Sequence, residues 1–83
     1  MKKVKLKDVK EGDIVIGINE MGDKWIIKII DSKNKDITYR VLWATYKITD
    51  KIESHKILKN FKYDWTSVQH YLLTEQEAFM EML

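Results

Sequence analysis

His55 and His70, the two histidines of this 83-residue chain, are the side chains that could do the widest range of chemistry. A zinc site needs at least three converging ligands, and the chain has no cysteine and no HxH or HExxH pair. Ser67, His70 and Asp64 would supply the residue types of a hydrolytic triad, but no nucleophile-elbow motif accompanies them. We therefore predict no catalytic residue, no metal site and no cofactor, and we expect His70 to be solvated or half-packed beside Tyr71.

The three glycines do not form a phosphate-binding loop. Gly12, Gly17 and Gly22 are evenly spaced along the chain, which fits neither GxGxxG nor the P-loop. Gly17 falls inside a predicted strand, where a glycine more often marks a bulge or close packing than a ligand site. A chain this small also has little room for a deep pocket beside its core, so we expect a protein that is not an enzyme.

Charge is distributed unevenly along the chain. Fifteen basic and thirteen acidic residues give a net charge of +2, but residues 1–62 carry every basic side chain. Residues 63–83 carry four acidic side chains and no basic one, and five lysines lie within the first ten residues. A chain with a basic body and an acidic tail can offer a partner two faces of opposite sign.

Lysines beside aromatic residues outline a candidate binding surface in the second half of the chain. Such a pattern suits single-stranded nucleic acid, because bases stack on rings while cations hold phosphates. The chain has only one arginine, however, and arginine is favoured for phosphate forks and base edges. Solvated lysines around core rings would produce the same pattern. If the chain has a partner-binding surface, we expect it to contain Phe61, Lys62, Tyr63, Trp65, Lys47 and Lys59.

Composition also predicts where the protein works. No apolar run approaches the ~20 residues of a membrane span, and residues 1–7 lack the apolar stretch of a signal peptide. We therefore expect a cytoplasmic protein that does not associate with membranes. Lysine makes up nearly all of the basic residues, and isoleucine outnumbers leucine, as A+T-rich coding produces. This bias favours a low-GC bacterium as the source, or a phage or other mobile element living in one.

Alternating apolar residues predict an antiparallel sheet. Residues 13–19, 24–30 and 37–46 each alternate, and short polar segments separate them, which indicates a three-stranded meander. The polar segment 31–36 is expected to be the second hairpin loop. Three aromatic residues are predicted to lie on the core-facing side of these strands: Trp25, Tyr39 and Trp43. The other face of the sheet is predicted to present Val15, Ile26, Ile30, Leu42 and Tyr46.

The pattern after residue 46 is less regular. The apolar spacing of residues 46–60 fits neither a helix nor a strand well, and we favour strands over a short helix capped by Thr49. Residues 61–65 and 68–73 predict two further short strands, because apolar and aromatic side chains dominate them.

The last ten residues predict a helix. Thr74 and Glu77 have the capping-box spacing, and Glu75 and Glu77 suit the positive end of the helix dipole. The apolar stripe of this helix must pack on the second face of the sheet or on a partner molecule. Its candidate docking or interface residues are Phe79, Met82 and Leu83, which follow Ala78.

Residues 6–15, with the sequence LKDVKEGDIV, resemble the opening segment of many SH3-like small barrels, in which a turn ending in Gly-Asp leads into the first long strand. The resemblance implies a small barrel and assigns no functional residue. We predict a mainly β, single-domain fold over residues 1–83. Its body, residues 1–73, is expected to be an antiparallel curled sheet or SH3-like barrel of about five to six strands, followed by a short C-terminal helix over residues 74–83.

The functional expectation is a small, non-enzymatic binding module that acts by protein–protein interaction. An accessory or inhibitory factor of a phage or mobile element would fit it, and self-association into a homo-oligomer is one form of the same idea. Two alternatives stay open. One is a small barrel that binds single-stranded nucleic acid through lysines and aromatic rings. The other is capture of a nucleotide-like small ligand at an oligomer interface.

Overall fold

The computed structural model describes residues 1–33, 36–45, 56–58 and 68–83. Within these ranges, one antiparallel sheet contains six strands in the order β1-β6-β2-β3-β4-β5. The strands are β1 (Lys2–Val4), β2 (Ile14–Ile18), β3 (Lys24–Lys33), β4 (Asp36–Ala44), β5 (Lys56–Leu58) and β6 (Gln69–Leu73). A 3₁₀ helix (Leu6–Asp8) follows β1, and α1 (Glu75–Glu81) follows β6. The predicted fold class, a mainly β antiparallel sheet with a short C-terminal helix, is confirmed.

The β2–β3–β4 meander forms as the alternating pattern predicts. Its first hairpin is closed by Asn19, whose side-chain Oδ1 accepts hydrogen bonds from the backbone N–H of Met21 at 3.0 Å and of Asp23 at 2.9 Å. Gly22 has φ 83°, a left-handed conformation that side chains with a Cβ rarely adopt. Local turn chemistry therefore sets the register of β2 against β3.

Each face of the sheet carries its own hydrophobic core. The first core, which the segment before β2 covers, contains Leu6, Val9, Val15, Ile27, Ile29, Ile37 and Val41. The second core, which α1 covers, contains Ile16, Ile26, Leu73 and Ala78. Because the central strands are buried on both faces, the sheet behaves as the middle layer of the domain.

A β-bulge in β4 sends Trp43 to the unexpected face. Ile27 pairs with Val41 and Ile26 with Trp43, so Leu42 is one residue more than β3 can match. The prediction that Trp43 shares a face with Val41 is therefore wrong, because one inserted residue reverses the alternation beyond it. Trp43 packs against the second core, whereas Trp25 and Tyr39 pack against the first.

The hairpin between β3 and β4 is longer than predicted. A second register shift makes Ile30 the extra residue of β3, and pairing then continues through Asp31 and Ser32 to Lys33. The prediction of a loop over residues 31–36 is wrong at both of its ends. Polar side chains do not prevent a ladder, because it is built from backbone N–H and C=O groups.

Two strands occupy positions that the chain order does not suggest. β6, the last strand in the chain, pairs with both β1 and β2 and so lies between the first two strands. In the middle of the chain, β5 confirms a strand within residues 46–60. The rest of that segment and the predicted strand at 61–65 lie outside the described residues.

Helix α1 starts with the predicted capping box. Thr74 Oγ1 accepts a hydrogen bond from the Glu77 N–H at 3.1 Å, and Glu77 Oε1 accepts one from the Thr74 N–H at 3.0 Å. Ala78 and Met82 pack on the second core beside Ile26. Val15, predicted on this face, lies in the first core instead, because the register places Ile16 rather than Val15 opposite Ile26.

Removing the cap should weaken the docking of α1. We expect Thr74→Ala to lower the free energy of unfolding by about 1 kcal/mol, because the Glu77 N–H loses its acceptor at the helix start. Urea unfolding measures the change. Thr74→Ser keeps the hydroxyl and should unfold close to the wild type, whereas equal midpoints for all three proteins would contradict the role of the cap.

Candidate functional site

The segment between β1 and β2 is held against the sheet by two apolar side chains. Leu6 and Val9 insert into the first core. The 3₁₀ turn between them is closed by the Asp8 N–H, which donates to the Lys5 C=O at 2.9 Å, and by the Val9 N–H, which donates to the Leu6 C=O at 3.3 Å. With Leu6 and Val9 facing inward, Lys5 and Lys7 remain exposed.

A second turn ties the end of this segment to β3. Asp13 Oδ2 accepts from the Lys10 N–H at 2.8 Å, and the Asp13 N–H donates to the Lys10 C=O at 3.0 Å. The N–H of Gly12, which has φ 88°, donates to the Ile29 C=O, and the Ile29 N–H donates to the Asp13 C=O, both at 2.8 Å. Backbone bonds therefore position Lys10 on a fixed frame.

Between β1 and these two turns lies a groove of about 700 Å³, which we call the basic groove. Two partly buried apolar side chains, Val4 and Leu72, also line it, and both pack against the first core. Two aspartates, Asp8 and Asp13, line it as well. Its five lysines leave a net of three positive charges, and they are Lys2, Lys3, Lys5, Lys7 and Lys10.

Within the part of the chain that the structure describes, no ion pair joins a lysine of the basic groove to a carboxylate. The ion pair found within those residues joins the Met1 ammonium, next in the chain to Lys2, to Glu77 Oε2 of α1 at 2.8 Å. Hydrogen bonds from that ammonium and from Thr74 lower the pKa of the Glu77 carboxyl. The net positive charge of the residues around this concave surface raises the local potential and attracts an anionic partner.

No protein-family model matches the chain, and comparisons with curated proteins and with solved structures found no similar protein. Functional assignment therefore rests on the geometry of the chain's own residues. Within the described ranges, no three His, Asp or Glu side chains converge as metal ligands would. None of the helical segments in those ranges has the length and apolar character needed to cross a membrane.

His70 is buried rather than solvated or half-packed, with 5% of its surface exposed. It lies in β6, where its cross-strand neighbours are Val4 on one side and Gly17 on the other. Burial disfavours the charged imidazolium and lowers the pKa of His70 from 6.5 to about 4. The prediction failed because β6 becomes an interior strand only when β1 pairs with its outer edge.

The residues predicted for partner binding fall into two groups. Phe61, Lys62, Tyr63, Trp65, Lys47 and Lys59 lie outside the described residues. On the helix, Met82 packs against the second core, whereas Phe79 is 61% exposed and Leu83 is 82% exposed. Their roles in partner binding stay predictions.

The basic groove was not among the predicted sites, although the sequence contains its signal. Five lysines within ten residues mark a charged segment, but a solvated, irregular terminus would show the same composition. The pairing of β1 with β6 and the burial of Leu6 are what turn that segment into one wall of a concave surface.

Proposed function

We propose that this protein is a non-enzymatic binding module whose basic groove holds an acidic segment of a partner protein. The observation that carries the proposal is a groove whose lining includes five exposed lysines and which is built on hydrogen-bonded turns. Because the turns already fix the backbone that carries Lys5, Lys7 and Lys10, binding need not order that backbone, and more of the electrostatic attraction is retained as affinity.

Two features of the groove favour a peptide over nucleic acid. Val4 and Leu72 add apolar surface beside the lysines, which suits a segment that mixes acidic and apolar side chains. Asp8 and Asp13 would repel a continuous row of phosphates, and no aromatic ring lines the described part of the groove for bases to stack on. An acidic peptide can avoid the two aspartates by placing neutral residues opposite them.

We extend the same proposal to the biological role of the protein, which would be that of an accessory or inhibitory factor. An accessory or inhibitory factor needs only a surface that recognises its target, and the basic groove is such a surface. The cytoplasmic location and the phage or mobile-element source are supported by composition alone and stay predictions.

Reversing charge in the groove should weaken the binding of an acidic probe. We define the groove variant as Lys7→Glu/Lys10→Glu, two exposed lysines whose side chains make no hydrogen bond among the described residues. The probe is a fluorescein-labelled peptide in which glutamate alternates with leucine, followed by fluorescence anisotropy. We expect the groove variant to bind it at least about tenfold more weakly, because unlike charges are replaced by like charges.

The matched control is Lys28→Glu/Arg40→Glu, which makes the same change in net charge on the exposed surface of β3 and β4, outside the groove. It should bind the probe nearly as well as the wild type does. Equal weakening in both double variants would contradict the proposal, because only the total charge would then matter. Tighter binding of oligothymidylate than of the peptide, lost steeply as salt rises, would instead support the nucleic-acid alternative.

A further inference from the structure

Helix α1 exposes an acidic and apolar surface on the face of the sheet that carries the second core. Three of its seven residues are glutamates, and it has no basic residue. Around its end, Phe79, Met80 and Leu83 have 61%, 62% and 82% of their surfaces exposed. Single exposed apolar side chains are ordinary, but three within five residues form a patch of the kind that marks an interaction site.

The chemistry of this surface complements that of the groove. The groove is lined by five lysines and two apolar side chains, and α1 presents glutamates together with apolar side chains. We propose that the partner segment includes α1 of a second copy of this chain, so that the protein forms a homodimer. The inference rests on the proposed function, because it requires the groove to bind an acidic segment.

The groove and α1 lie on opposite faces of the sheet and approach each other at its β1 edge. Leu72 of the groove lies in β6, only two residues before the helix cap Thr74. Next to β1, the Met1 ammonium contacts Glu77 Oε2 of α1 at 2.8 Å. In the proposed dimer the two-fold axis lies at this edge, so that each helix meets the other copy's groove and no complementary surface is left to recruit a third copy.

A charge-swap experiment tests this arrangement. The helix variant is Glu75→Lys/Glu81→Lys, which leaves the capping residues Thr74 and Glu77 in place. The mass in solution is measured by light scattering after size exclusion, across micromolar to millimolar protein. We expect the wild type to dimerise. The groove variant and the helix variant should each be monomeric, because one carries two acidic surfaces and the other two basic surfaces.

Mixing the two variants gives the decisive result. In a mixed pair, the unchanged helix of the groove variant meets the unchanged groove of the helix variant, and the two reversed surfaces meet each other with opposite charges. We therefore expect a one-to-one heterodimer to form where each variant alone is monomeric. As a control, Glu20→Lys/Asp36→Lys, which reverses two exposed acidic side chains away from α1, should dimerise like the wild type.

Three results would overturn the inference: a monomeric wild type throughout the concentration range at low ionic strength, a helix variant that still dimerises, or a mixture in which no heterodimer forms. Circular dichroism of each variant establishes that a loss of dimer does not reflect unfolding. If the wild type is monomeric but binds the acidic probe peptide, the proposed function is supported and the homodimer is contradicted. Absence of both peptide binding and dimer formation would overturn the two together.

Discussion

Gly17→Ala is expected to lower the free energy of unfolding by about 2–3 kcal/mol, a large effect for the addition of one methyl group. Gly17 lies in β2 opposite Trp25 of β3, and the indole covers the space where a Cβ would be. An added Cβ would lie 2.5 Å from Trp25 Cε2 and Nε1 and 2.8 Å from Cζ2. The ring must therefore move, and it would lose contacts with the first core. Urea unfolding measures the change.

A double-mutant cycle separates this steric cause from any general intolerance of alanine in β2. In a Trp25→Leu background the obstructing ring is absent, so we expect Gly17→Ala to cost less than about 1 kcal/mol there. The difference between the two backgrounds is the coupling energy of the pair. Equal costs with and without the indole would show that the close approach of Trp25 does not determine the residue at position 17.

Acid should destabilise the fold through His70. The pKa of His70 falls from 6.5 in the unfolded chain to about 4 in the fold because burial disfavours the imidazolium. Above pH 6.5 the ring is neutral in both states. Between 6.5 and 4 the unfolded chain binds a proton that the folded chain does not, so stability is lost progressively as the pH falls. The total loss is expected to be up to ~3 kcal/mol.

His70→Gln isolates this contribution, because glutamine retains a polar side chain that does not titrate. Urea unfolding of the wild type and the variant at a series of pH values from 7 down to about 4 compares the two slopes. We expect the variant to lose less stability than the wild type over this pH range. The loss that the variant still shows would come from protonation of carboxylates. An NMR titration of the imidazole in the folded protein with a pKa near 6.5 would contradict the effect of burial.

Much of the local structure could be predicted from neighbouring residues. The alternation of Ile14, Ile16 and Ile18 predicts β2, and the spacing of Thr74 and Glu77 predicts the start of α1. The physical reason is that strand alternation, turn geometry and capping depend on residues within a few positions of one another. Each of these predictions agrees with the structure.

The errors share a different cause. Trp43 changed faces because of a bulge opposite Ile26 and Ile27, and a bulge depends on how two strands match rather than on either strand alone. His70 is buried because β1 and β2, which are distant in sequence, both pair with β6. Alternation within β6 is the same whether the strand is at an edge or in the interior, so it cannot reveal which.

The same distinction between local pattern and strand pairing applies to the candidate site. The run of lysines from Lys2 to Lys10 and the acidic composition of the last twenty-one residues are properties of the sequence alone, and they establish the opposite charges of the two ends. The insertion of β6 between β1 and β2 decided that the lysines line a groove together with Leu72. Contacts between residues some seventy positions apart bring the two ends together, and such contacts depend on packing and loop closure over the whole chain rather than on any local pattern.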